Sequence, residues 1–194
     1  MAPSKKQKDM RIITGKYKGR HFDIPRSFKA RPTTDFAKEN IFNVLNGYTD
    51  FTGAAALDLF SGTGSIALEL LSRGCDMVVS VELDRDHHRF ITDCCRKLQA
   101  SPPPGERPGG SLLPLRADVF RYLKTCRQQF DIIFADPPYS LEQLPQIPDL
   151  VLERPLLRPG GVFVFEHGKS HRFDDHPRFA GHRQYGSVNF SLFR

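Results

Sequence analysis

The sequence predicts an α/β fold with a doubly wound, mostly parallel, seven-stranded sheet and a basic β-hairpin extension at the N-terminus. Three observations predict it. Near-continuous apolar segments alternate with helical patterns from Ala54 onward, as strands buried on both faces require. A glycine-rich turn, Ser61-Gly62-Thr63-Gly64, directly follows the first of those segments. Two extended segments around Gly186 close the chain as a terminal hairpin.

In order along the chain, Arg11–Thr14 and Arg20–Ile24 read as short strands, with Gly15–Gly19 as their hairpin loop. Ala37, Ile41, Val44, Leu45 and Tyr48 then recur at helical spacing. Thr34 or Asp35 can cap that helix and Gly47 can end it. Ala54–Leu59 is the first apolar strand and Ser65–Ser72 a short helix stopping near Gly74. Met77–Glu82 is the next strand, and Asp86–Gln99 a helix with His87, Ile91, Cys94, Cys95 and Leu98 on one face. Leu112–Arg116, the helix Val119–Cys126 and the strand Asp131–Ala135 continue the alternation. A helical stretch lies around Gln146–Glu153, and Pro159-Gly160-Gly161 reads as a turn into Val162–Glu166. Arg178–Gln184 and Val188–Phe193 are the closing strands. Ser101–Gly110, rich in Pro and Gly, can be neither helix nor central strand and reads as a surface loop.

With 194 residues, 39% hydrophobic and 26% charged, the composition excludes collagen-like and wholly disordered chains. No run approaches the ~18 apolar residues of a membrane span, and no signal-peptide core follows the first residues. The expectation is a cytoplasmic protein without membrane contact, and a monomer. The four Cys residues include no pair at metal-binding spacing and read as reduced structural thiols; the scattered His residues give no ligand set, so no metal is expected.

The net charge of +6 is unevenly placed. Residues 1–31 hold ten Lys and Arg against two Asp, a local charge of +8, and the remainder carries −2. A polyanion such as nucleic acid would be held by that arm through Coulomb attraction and counterion release. Met1–Asp9 reads as a loose tail, whereas basic residues on a hairpin with Tyr17 and His21 between them suit a binding surface. Residues 1–31 are therefore expected to be a nucleic-acid-binding extension and 32–194 the main domain.

Gly62 and Gly64, between a strand and a helix, permit a tight turn and close approach of a ligand. Glu82, 20 residues beyond Gly62, ends the next strand where a carboxylate can accept two ribose hydroxyls. Spacing alone also fits a nicotinamide-dinucleotide turn, because Gly62, Gly64 and Ala67 match the relaxed fingerprint. Asp58 tilts the choice. A carboxylate just before the turn would repel a pyrophosphate but attract the ammonium of S-adenosylmethionine, which has no phosphate. Asp118 fits a helix N-cap and fits equally well as acceptor for an adenine amine; one Asp can do both.

Asp136-Pro137-Pro138-Tyr139 follows the fourth apolar strand, at the sheet edge where open α/β sheets bind ligands. The Asp136 side chain and the Pro137 carbonyl offer two acceptors for the N–H groups of a planar exocyclic amine. Tyr139 supplies an aromatic face for an unstacked base.

This motif, with the Asp58–Gly64 turn, resembles class I S-adenosylmethionine-dependent amino-methyltransferases, whose core is Rossmann-like. The N-terminal elements narrow the resemblance: Arg11-Ile12-Ile13-Thr14-Gly15, Lys18-Gly19-Arg20, Pro25, Arg31-Pro32-Thr33-Thr34-Asp35 and Asn40-Ile41-Phe42-Asn43-Val44-Leu45. The chain is similar to the RsmD family, which methylates the N2 amine of one guanine in small-subunit (16S) ribosomal RNA. It departs from the family at Phe36 and Lys38, where Arg is usual, and in the Ser101–Gly110 insertion.

The resemblance implies S-adenosylmethionine as cofactor, contacted by Asp58, Ser61, Gly62, Gly64, Glu82, Asp118 and Asp136, with Thr34 and Lys38 closing over it. It implies Asp136, Pro137, Pro138 and Tyr139 at the reacting amine, and direct transfer without metal or covalent enzyme intermediate. Arg11, Lys16, Lys18, Arg20 and Arg31 are the expected RNA contacts, on small-subunit RNA within an assembling 30S particle. Competing readings are a DNA adenine-N6 or protein-glutamine methyltransferase, a nicotinamide oxidoreductase, and a non-catalytic RNA-binding protein.

Overall fold

The computed structural model describes residues 9–28, 33–106 and 109–194. A short antiparallel pair opens it: β1 (Asp9–Arg11) with β2 (His21–Asp23). Helix α1 (Asp35–Leu45) follows, then β3 (Ala55–Leu59), α2 (Ser65–Ser72), β4 (Met77–Glu82), α3 (Arg85–Ala100) and β5 (Ser111–Arg116). The second half runs α4 (Val119–Thr125), β6 (Phe130–Ala135), a 3-10 turn at Leu144–Gln146, α5 (Ile147–Leu152) and β7 (Leu157–His167). Strands β8 (Phe179–Tyr185) and β9 (Val188–Phe193) end it.

The sheet order is β5-β4-β3-β6-β7-β9-β8, with β3, β4, β5, β6 and β7 parallel and β9 antiparallel to both β7 and β8. Chain direction across the sheet reverses between β3 and β6, so the strand ends there open a crevice at their C-terminal edge. The alternation of side chains explains the unbroken apolar strands. Ile132 and Phe134 pack on the face covered by α1, α2 and α3, whereas Ile133 and Ala135 pack on the face covered by α4 and α5. No helix among the described residues is long and apolar enough to cross a membrane.

Three expectations need correction. The N-terminal strands pair as Asp9–Arg11 with His21–Asp23 rather than through Thr14. Beyond Ile12, which still exchanges backbone bonds with Gly19 and Arg20, the chain turns away to dock on α2. The Ile13 and Thr14 amides donate to the Glu69 carboxylate at 2.8 and 3.0 Å, so a side chain replaces the cross-strand partner. Tyr17 accordingly is buried at 1% exposure and is no part of an outward surface. Lastly, Pro159–Gly161 is no turn but an irregular stretch within the long strand β7. The register there skips from Phe130↔Leu157 to Ile132↔Val162, and a Cβ on Gly161 would sit 2.8 Å from the Asp131 carbonyl oxygen.

The arm is pinned firmly. Gly15 has φ +88°, and a Cβ there would lie 2.0 Å from the Ser72 carbonyl oxygen, so only glycine fits. The Lys16 amide donates to that oxygen at 2.7 Å and the Tyr17 amide to Ser72 Oγ at 2.9 Å. Met10, Ile12, Tyr17, Phe22, Ile24 and Phe28 join the same apolar cluster as α1 and α2. Glu69 is the hub: fully buried, it takes Arg73 Nε at 2.9 Å and lies 3.9 Å from Lys38 Nζ. Lys38 itself is 1% exposed, donating to the Arg11 carbonyl at 2.6 Å and to Ser65 Oγ at 3.0 Å. Burial pushes its pKa down, opposed chiefly by Glu69.

Glu69→Ala would strand two buried cations and two amides. It is expected to destabilise the protein by about 3 kcal/mol in urea unfolding. A loss below about 1 kcal/mol would contradict the hub role.

Candidate active site

The C-terminal ends of β3, β4, β6 and β7 line one cavity of about 780 Å3. Its polar wall carries Asp58, Glu82, Asp84, Asp118, Asp136 and Glu166, and no Lys or Arg lines it among the described residues. Phe60, Ile66, Leu83, Val119, Phe120 and Leu141 supply an apolar wall.

Asp58 stands at the end of β3, fully buried, because the turn folds back over it. Its Oδ2 accepts the Ala67 amide at 3.1 Å, in the first turn of α2. The protein's own carboxyl therefore occupies the helix N-terminus, the position where a dinucleotide's pyrophosphate would bind. Burial pushes its pKa up to about 8, partly offset by the Ser61 and Ala67 hydrogen bonds. Ser61 lines the cavity and donates from Oγ to the Asp58 carbonyl at 2.8 Å.

The turn itself is held from β4. Glu82 accepts the Gly62 amide at 2.7 Å through one oxygen and the Asp84 amide at 2.8 Å through the other. Each carboxylate oxygen keeps a second lone pair directed elsewhere. Gly62 has φ +53° and Gly64 φ +75°. Gly64 does not line the cavity; a Cβ there would meet Ile91 at 2.8 Å, so its smallness lets α2 approach α3. Phe60, with φ +59°, is the one positive-φ residue other than glycine among those described, and it borders the cavity.

On the other side of the crevice, Asp136, Pro137, Pro138 and Tyr139 all line the cavity. The Asp136 amide bonds back to Leu59 at 3.3 Å, joining the motif to the turn. Asp136 opens onto the cavity, yet its carboxyl is held well above the ordinary range, first by burial, then by Glu166 and Asp58. Glu166, one step past the Ala135↔Phe165 pair on β7, was not singled out from the sequence. It is 5% exposed, accepts the Tyr139 hydroxyl at 3.0 Å and the Thr33 hydroxyl at 3.3 Å, and stands beside the Asp136 carboxyl. Burial pushes it up to about 7. Nothing in the linear pattern distinguishes it from another strand residue; only the register beside Asp136 does.

Thr34 borders the cavity and caps α1 by accepting the Ala37 amide at 3.2 Å. Asp118 caps α4 by accepting the Arg121 amide at 2.9 Å and also faces the cavity. Lys38 does not line it, contrary to expectation: its ammonium turns inward to Arg11 and Glu69 and touches the site only through Ser65. His87, given no role by the sequence, borders the cavity with its ring 4.2 Å from Phe28.

The expected RNA contacts among the described residues, Arg11, Lys16, Lys18 and Arg20, do not line the cavity. Arg11 pairs with Asp35 at 3.1 Å, Lys16 with Glu106 at 3.1 Å, and Arg20 binds the Ser101 carbonyl. Lys18 is exposed, and Arg31 lies outside the described residues. Arg20 and Lys97 line a smaller cleft of about 260 Å3 between β2 and α3.

The strand order and the carboxyl-lined crevice at the point of reversal define a class I methyltransferase fold. A family model described as "Conserved hypothetical protein 95" matches residues 10–194. The chain belongs to that family, the RsmD family of methyltransferases. It is 32% identical to the putative rRNA methyltransferase YlbH of Bacillus subtilis, over 82% of this chain and 83% of that protein. It is 32% identical to ribosomal RNA small subunit methyltransferase D of Haemophilus influenzae, over 81% of this chain and 78% of that one. Among solved structures, a putative methyltransferase, yhhF, from Escherichia coli superposes with a TM-score of 0.79 at 25% identity. That match covers 96% of this chain and 97% of the other.

Asp58 makes a pH-dependent contribution to stability. Its native pKa of about 8 exceeds the ordinary 3.8, so between those values the folded state holds a proton that the unfolded state has lost. Stability from this group therefore falls as pH rises through that window. Asp58→Asn, which keeps an acceptor for Ala67 and does not titrate, should gain on the wild type by more than about 1 kcal/mol between pH ~5 and ~8 in urea unfolding. Parallel pH curves for the two proteins would contradict the buried-carboxyl account.

Proposed function

We propose that this protein is an S-adenosylmethionine-dependent methyltransferase of ribosomal RNA, acting on the exocyclic N2 amine of a guanine in the small subunit. The observation that carries the reading is the cavity wall: six carboxyl groups, no lining Lys or Arg among the described residues, and Asp58 seated at the α2 N-terminus. That wall disfavours phosphates and suits a ligand bearing an ammonium and a sulfonium. In this reading Glu82 takes the ribose hydroxyls, Asp118 an adenine amine and Asp58 the ammonium; all three line the cavity. The membership in the family and the ribosomal RNA methyltransferase names of its relatives support an RNA substrate.

S-adenosylmethionine supplies a methyl group already activated on sulfur, so no metal need participate. The chain's own residues bind and orient the acceptor. The Asp136 carboxyl and the Pro137 carbonyl take the two N–H groups of the amine and favour the tetrahedral nitrogen that forms during attack. Tyr139, 46% exposed, offers its ring face to the base while its hydroxyl is anchored on Glu166. A Cβ on Gly168 would approach that ring to 3.3 Å, so glycine there leaves the ring its position. The amine proton becomes acidic only once nitrogen has taken the methyl, and the Asp136–Glu166 pair is placed to receive it. RNA would be steered by Arg11, Lys16, Lys18, Arg20 and Arg31, with residues 1–31 as the docking extension and an assembling 30S particle as the substrate.

The test is methyl transfer from labelled S-adenosylmethionine to small subunits from a strain lacking this gene, followed by nucleoside mass analysis. Wild type should yield labelled N2-methylguanosine. Asp136→Ala should lower turnover about 10²–10³-fold, in the range of a lost oxyanion-type contact, while S-adenosylhomocysteine binding persists. Label in methyladenosine or in protein, or near-normal turnover by Asp136→Ala, would overturn the proposal.

A further inference from the structure

Glu166 is a buried carboxyl of the cavity to which the proposed chemistry gives no hydrogen bond with the cofactor or the base in the bound state. Its position is set by register. Ala135 pairs with Phe165 across parallel strands, so Asp136 and Glu166 emerge side by side at the sheet edge. Burial, and then the neighbouring Glu166 carboxyl, hold Asp136 well above the ordinary carboxylate range. The groups facing Glu166 are Asp136 at the end of β6, the Tyr139 hydroxyl and the Thr33 hydroxyl, with Asp58 beyond Asp136. None of them is a cation. The pair therefore presents a row of acceptor oxygens with no Lys or Arg lining it among the described residues, and a row of N–H donors is what it fits.

Exocyclic amines of nucleobases differ in the ring atom beside them. In guanine the N2 amine adjoins N1–H, a second donor in the same row. In adenine and cytosine the amine adjoins a bare ring nitrogen, an acceptor. We infer that Glu166 reads the N1–H of the target guanine while Asp136 and Pro137 hold its N2 amine, making Glu166 the residue that selects guanine. This rests on the guanine-N2 reading above and assigns the selectivity of that site to one side chain. An acceptor-only row rejects adenine because its ring nitrogen would face a carboxylate lone pair.

2-Aminopurine separates selection from support, because it keeps the N2 amine and replaces N1–H with a bare nitrogen. Once the methylated guanine is mapped, small subunits are reconstituted with guanosine or 2-aminopurine at that position. Methyl transfer is measured at a pH of about 8.5, above the value of about 7 to which burial raises Glu166. Wild type should favour guanosine in kcat/KM by about 10- to 100-fold, the range of a hydrogen bond to a charged group. Glu166→Gln, whose amide can donate to a bare nitrogen, should lose guanosine activity and narrow that ratio about tenfold or more. S-adenosylhomocysteine binding checks that the variant cavity is intact. Equal use of both bases by wild type would overturn the inference whatever the variant does. So would a variant that slows on both bases equally, since that marks Glu166 as support for Tyr139 alone. Wild-type label on adenine or protein, with none on guanine, would instead show that the guanine-N2 reading itself has failed.

Discussion

Four carboxyls at the ends of four neighbouring parallel strands, Asp58, Glu82, Asp136 and Glu166, set the terms for the rest of the molecule. Parallel strands covered on both faces bring their C-terminal ends to one edge, and the reversal between β3 and β6 leaves a gap there. Acidic groups at that edge repel one another and lose hydration. Backbone amides from Gly62, Asp84 and Ala67 take part of the load, as do the Tyr139 and Thr33 hydroxyls. What remains raises Asp58 and Glu166, and a cationic ligand with N–H-rich neighbours offsets it. In this view the cavity's electrostatic strain and its selectivity for ligand class have the same origin.

A second buried charge cluster, centred on Glu69, does different work. It fastens the basic arm to α1 and α2 through Ile13, Thr14, Lys38 and Arg73. Lys38 also reaches Ser65, which lines the cavity, so one lysine links the arm's backbone at Arg11 to the wall of the site. The arm is thus part of the hydrophobic core at Tyr17 and Phe22, with Arg11, Lys18 and Arg20 exposed. RNA bound along it would be held at a fixed distance from the crevice.

The sheet, its helices and the two sides of the crevice were readable in the sequence, because alternation of apolar segments and punctuation by Gly and Pro are local signals. Gly62, Asp58 and Asp136 declared themselves by type and position in a turn. Residues whose importance comes from contacts between distant segments did not. Glu69 is 56 residues from Ile13, and Glu166 27 from Tyr139. Lys38 was expected at the site only through the family resemblance; the structure turns its ammonium inward, toward a carboxylate on another helix. Pro159–Gly161 read as a turn because bulge and turn use the same residues, and only pairing with β6 tells them apart.

A crevice lined by six carboxyls, with Asp58 at the α2 N-terminus, should bind a cation-bearing nucleoside and exclude a pyrophosphate. Calorimetric titration of S-adenosylmethionine and of NAD, near pH 7 in two buffers of different ionisation enthalpy, addresses it directly. A cation beside Asp58 draws a carboxyl with a value of about 8 toward its ionised form. The account predicts saturable binding of S-adenosylmethionine with net release of protons, and no saturable binding of NAD. Saturable NAD binding, or S-adenosylmethionine binding with the same heat in both buffers, would contradict it.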